Sequence, residues 1–166
     1  MATYGLRPHE IFHLDTQDLE QGGYVLKVLD ATKTGYREVR PLHPEWVDQF
    51  ELRQKRLPKI NVSGKCNKKL GSHISVGFRR YKVPFRPYSL RHCYAVRCIR
   101  FTIDASLAAR WMGHTVAVHT TTYQAWISRN VEQEEFERSL QNPNRPKPPV
   151  LSGVEEVQMG NPGLAA

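Results

Sequence analysis

Acidic residues are missing from almost a third of this chain. Between Leu52 and Ile103 there is no Asp or Glu, against fourteen Lys and Arg. The remaining residues hold ten basic and all sixteen acidic side chains, so the formal charge of +8 originates in that one block. A solvated basic face is the plain explanation of such a run. Its length favours a polyanionic partner, without separating DNA from RNA or an acidic membrane surface. Cysteine is also scarce. Cys66, Cys93 and Cys98 are odd in number and lack CxxC spacing, which argues against a disulfide framework and fits a reducing compartment. No apolar run approaches the roughly 20 residues of a membrane-spanning helix. Arg7, Glu10 and Asp15 interrupt the opening residues, unlike a signal peptide. The expectation is a soluble, cytoplasmic protein with no membrane partner, and 166 residues suit one packed domain.

The local patterns predict a mainly α fold with a small antiparallel β-sheet. Residues 1–21 read as a bent helix, with Gly5 breaking a lead-in and Pro8 in a first turn. YVLKVLD (24–30) and YREVRPL (36–42) alternate and are separated by ATKTG, so they predict a hairpin with Lys33 near its tip. Pro44 opens a helix to about residue 56, and 58–68 is a loop before a helix ending at Tyr81. Pro87 starts another helix. Asp104 caps DASLAARWMG, which Gly113 stops. A short helix carries VAVHTTTYQAWI, and VEQEEFERSLQ is a last, acidic one. From Asn142 on, five of the eleven prolines fall in 25 residues with little periodicity, and a disordered tail over 142–166 is expected.

One set of residues stands out by order and context: Arg7, Lys33, Arg91, His114 and Tyr123. They lie in TYGLRPHEI (3–11), KTG (33–35), YSLRHCYA (88–95) and MGHTVAVHTTTY (112–123). These phrases resemble the tyrosine recombinase, or phage integrase, family over residues 3 to 141. The family pattern has Arg in GLRxxE, Lys on a β-turn, HxxR followed by His, then Gly-His with Tyr nine residues later; His114 and Tyr123 stand at that spacing.

The resemblance implies a metal-free, cofactor-free DNA strand transferase acting as a homo-tetramer on double-stranded DNA, in a prokaryotic, nucleoid-associated setting. Tyr123 is the implied nucleophile, leaving a 3′-phosphotyrosyl link and a free 5′-hydroxyl. Planar guanidinium groups can each hold two phosphate oxygens, which suits Arg7 and Arg91, with His114 as a third donor. Lys33 would protonate the departing oxygen, and Glu10 would orient Arg7. Lys65, Lys68, Lys69, Arg79, Arg80, Lys82 and Arg86 are the candidate DNA-backbone contacts. These residues are expected to converge on a basic concave face. On this reading residues 1–141 form the catalytic domain without its first helices and amino-terminal DNA-binding domain.

The chain departs from the pattern at Tyr88, where HxxR has His. A phenol is a poor base near neutrality, so slower cleavage is expected, and His92, one turn on, would compensate only with altered geometry. Two rival readings compete. His9-Glu10-Ile11-Phe12-His13 matches the zinc-hydrolase HExxH phrase, but no third ligand follows at convincing spacing. The other is a decayed integrase that only binds DNA. A zinc site from His92, Cys93 and Cys98 is weaker than buried packing.

Overall fold

The computed structural model describes residues 1–29, 35–54, 56–123 and 129–146. In chain order it contains a 3-10 turn (Glu10–Phe12), β1 (Leu14–Asp15), α1 (Gln17–Glu20), β2 (Leu26–Val28), β3 (Arg37–Val39), α2 (Glu45–Gln49), α3 (Asn67–Arg80), α4 (Pro87–Arg100), α5 (Ala105–Met112), α6 (Val116–Tyr123) and α7 (Arg129–Gln141). The fold is mainly helical with a small antiparallel sheet.

Local chemistry accounts for the C-terminal helices. Pro87 occupies the first turn of α4, where its missing N–H costs nothing. The Asp104 carboxylate accepts from Ser106 N at 2.9 Å and Leu107 N at 3.2 Å, satisfying two orphan donors of α5. Gly113 ends α5 in the left-handed region at φ 62°.

The hairpin forms with Leu26 opposite Val39 and Val28 opposite Arg37. Its tip, and with it Lys33, lies outside the described residues. Beyond Pro146 the tail does too.

Residues 1–21 are not a bent helix. Gly5 adopts φ +64° against the Tyr94 ring, and Glu10 turns inward to full burial. Leu14 and Asp15 then pair with Val28 and Lys27, adding a third strand to the sheet. Sheet pairing and ion pairing override the helical spacing of Ile11, Phe12 and Leu14. The helix opened by Pro44 also stops early, at Gln49. Glu51 takes φ 51°, and Arg53 folds back so that its Nη1 donates to Leu19 O at 3.1 Å and Gly23 O at 2.7 Å.

One core joins the sheet to the helices: Leu26, Val28 and Val39 pack with Tyr94, Cys98, Ala108, Met112 and Tyr123. Arg97 donates to Ala2 O at 2.5 Å and lies 4.9 Å over the Trp46 ring, tying the first residues to α4 and α2. α7 exposes Phe136 and Leu140.

Candidate active site

Three arginines from three parts of the chain meet at the C-terminal end of α5. Arg37 Nε donates to Trp111 O at 2.8 Å, Arg91 Nη2 to Met112 O, and Arg7 Nη2 to Gly113 O at 3.0 Å. These carbonyls lie at the negative end of the helix, and the last of an α-helix lack intrahelical partners. Beneath them sits the buried Glu10 carboxylate. It accepts from Arg37 Nη2 at 2.7 Å, from Arg7 Nη1 at 2.8 Å and from the Arg7 backbone N–H at 2.7 Å. Arg91 Nη1 lies 3.9 Å from the same carboxylate. Burial by itself raises the Glu10 pKa, but the hydrogen bond and charge of Arg37 and the bonds from Arg7 outweigh it and hold the carboxyl at about 2. The knot fixes the corner from which His114 projects.

Arg91 is spent within the protein. It is 1% exposed, its Nη1 donates to Gly5 O at 2.5 Å, and its Nε is buried without a partner among the described residues. Burial, followed by the charge of Arg7, brings its pKa down to about 10.

A string of rings runs beside the knot. Tyr88, 42% exposed, stands edge-on to His92 at 5.0 Å. His92 is 5.6 Å from Tyr123, Tyr123 is 5.1 Å from His119, and His119 and His114 share a hydrogen bond at 3.0 Å. The Tyr123 ring faces inward, 3% exposed. Burial raises its pKa, and the charges of Arg91 and Arg7 pull it the other way. His114 is held at about 4, first by burial and then by Arg91, so it is neutral near pH 7.

The structure therefore gathers Arg7, Glu10, Tyr88, Arg91, His114 and Tyr123. Of the basic block, Lys68, Lys69, Arg79 and Arg80 are exposed along α3, Lys82 and Arg86 are exposed between α3 and α4, and Lys65 is half-buried before α3. Lys68, Arg79 and Arg86 line a cleft of about 690 Å³ together with Arg7 and Tyr88, which connects part of the basic block to the site. Phe78, Val83 and Phe85 also line it.

Two site residues escaped the sequence reading. Arg37 has an inward register on β3, as buried as Val39 two positions on; a charge at a core-facing strand position is a readable signal. His119 lies four residues before Tyr123, on the same helical face. The HExxH phrase forms no zinc-hydrolase helix: it falls across a 3-10 turn, and its Glu10 is committed to arginines. Among the described residues no group of three or more His, Cys, Asp or Glu is placed to hold a metal ion. No described helix is long and apolar enough to cross a membrane.

The helical body with a three-stranded sheet at its edge is the catalytic fold of integrases. It matches the crystal structure of XerA recombinase with a TM-score of 0.53 at 19% identity, over 82% of this chain and 54% of that one. It matches the Tn1549 transposon integrase in complex with a circular intermediate DNA with a TM-score of 0.50 at 18% identity, over 82% and 55%. In sequence the chain is 34% identical over 157 residues to Excisase A of Nostoc sp. (strain PCC 7120 / SAG 25.82 / UTEX 2576), covering 87% of this chain and 33% of that protein. It is 37% identical over 151 residues to Excisase C of the same organism, covering 82% and 30%. The chain thus spans about a third of the length of these curated relatives. No family model matches it. Similarity in fold and in sequence points to the tyrosine recombinase, or phage integrase, family.

Proposed function

We propose that the chain is the catalytic part of a site-specific DNA strand transferase in which Tyr123 attacks a DNA phosphodiester. The observation carrying this reading is the position of Tyr123, at the end of α6 within the fields of Arg91 and Arg7 and among three imidazoles. The phenol oxygen bonds to phosphorus, the 5′-oxygen leaves, and a 3′-phosphotyrosyl link retains the ester so that a second hydroxyl can reverse the step without ATP or metal. Arg7, with 19% of its side chain exposed, is the arginine nearer solvent, and His114 adds a neutral donor. Charge build-up on phosphate oxygens is where fixed donors act most strongly, about 10²–10³ in rate for each. Lys33 would protonate the leaving oxygen. The cleft flanked by Lys68, Arg79 and Arg86 supplies backbone contacts to double-stranded DNA. Tetramer formation on DNA would use α7, whose Phe136 and Leu140 are 57% and 46% exposed.

The burial of Tyr123 and the commitment of Arg91 to Gly5 and Met112 favour a second reading, a DNA-binding protein without cleavage. A nicked suicide DNA substrate separates the two. The strand transferase forms an SDS-resistant protein–DNA adduct that Tyr123→Phe abolishes. DNA retention with no adduct from the unaltered chain refutes cleavage and leaves the binding protein.

A further inference from the structure

Tyr88 stands where the family pattern has a histidine, so the nucleophile lacks an obvious base. Three imidazoles surround Tyr123, and geometry distinguishes them. His114 and His119 bond to each other, which commits one nitrogen of each ring; His119 is also buried. His92 projects from α4, half-buried, with its ring between Tyr88 at 5.0 Å and Tyr123 at 5.6 Å, inclined 62° to the Tyr123 ring. Among the described residues neither the His92 ring nor the Tyr123 hydroxyl makes a side-chain hydrogen bond, to each other or to another group, and the two rings lie 5.6 Å apart.

We propose that His92 is the base that takes the Tyr123 proton, in place of a histidine at position 88. The assignment rests on the strand-transfer reading. As the phenol oxygen bonds to phosphorus, its O–H bond breaks and the proton passes to an unprotonated imidazole nitrogen. The bond from phosphorus to the 5′-oxygen breaks with its electron pair, and that oxygen takes a proton from Lys33 or water. In the reverse step the His92 imidazolium returns its proton to the departing phenol oxygen. The groups facing His92 are Tyr88 and Arg91 on its own helix and Tyr123 from α6, with the His114–His119 pair beyond. Burial, and then the Arg91 charge, keep His92 below the ordinary histidine value, hence neutral near pH 7. Tyr88 borders the ring, edge-on at 5.0 Å.

The test is the single-turnover rate of adduct formation by the full chain on a nicked suicide substrate, across about pH 5 to 8. The unaltered chain should slow towards acid pH as His92 protonates. His92→Ala should lose about 10²–10⁴ in rate, the usual worth of a general base, and lose that acid limb. Added imidazole should restore part of the rate. His92→Asn, which keeps a polar side chain without a base, carries the same expectation and guards against a folding defect in the alanine variant. A rate within about threefold of the unaltered chain in both variants overturns the assignment. So does a loss that leaves the acid limb in place and ignores imidazole, which marks packing alone. No adduct from the unaltered chain overturns both the base and the strand-transfer reading, whereas an adduct indifferent to His92 removes only the base.

Discussion

Glu10→Gln tests the arginine knot most directly. The substitution keeps the side chain's shape but replaces a carboxylate that binds Arg7 at 2.8 Å and Arg37 at 2.7 Å with a neutral amide. Its NH₂ cannot accept, so at least one guanidinium loses its carboxylate bond at a buried position. Two estimates agree. Removing one partner of a buried ion pair costs about 3–5 kcal/mol. The fall of the Glu10 pKa from 4.5 to about 2, at about 1.36 kcal/mol per pKa unit, corresponds to about 3 kcal/mol. That is a large share of the roughly 5–15 kcal/mol of a typical domain. Urea unfolding followed by tryptophan fluorescence at neutral pH should show the loss as a lower midpoint with an unchanged slope. The pH dependence supplies a second arm. A carboxyl with a depressed folded-state pKa contributes stability that is fully present above the unfolded value of 4.5 and fades as pH falls towards 2. The unaltered chain should lose stability through that window, and Glu10→Gln should lose less. A cost below about 1 kcal/mol, or an unchanged acid slope, would refute the view that this carboxylate holds the arginines together.

Two further substitution pairs probe the backbone. Gly5→Ala should cost about 2–5 kcal/mol, because its φ of +64° disfavours a side chain and the new Cβ would lie 2.5 Å from Tyr94 Cδ1; Gly22→Ala, at φ +94° with nothing within 4 Å, should cost only backbone strain of about 1–2 kcal/mol. Equal thermal melting temperatures for the two variants would contradict this. Asp104→Ala should cost about 1 kcal/mol by removing the α5 cap, and Asp104→Asn, which still accepts, only a fraction of that. Chemical denaturation of both resolves the difference, and equal losses would deny the capping role.

Much of this protein was legible along the chain. The alternation on either side of ATKTG, Pro87 at a helix start, and Asp104 and Gly113 bracketing a helix are local devices, settled within a few residues by hydrogen bonding and φ preferences. The nine-residue step from His114 to Tyr123 and the LR phrases carry the resemblance to integrases, and the acid-free block favours a polyanionic partner. The tertiary structure decided where charge is buried. Arg37 meets Glu10 across 27 residues, and Arg91 meets Gly5 across 86; no local period encodes such pairs. Those long-range bonds break the expected first helix and expend Arg91 on carbonyls. They also bring His92 from α4 against Tyr123 of α6, since proximity between helices depends on which faces the common core turns together.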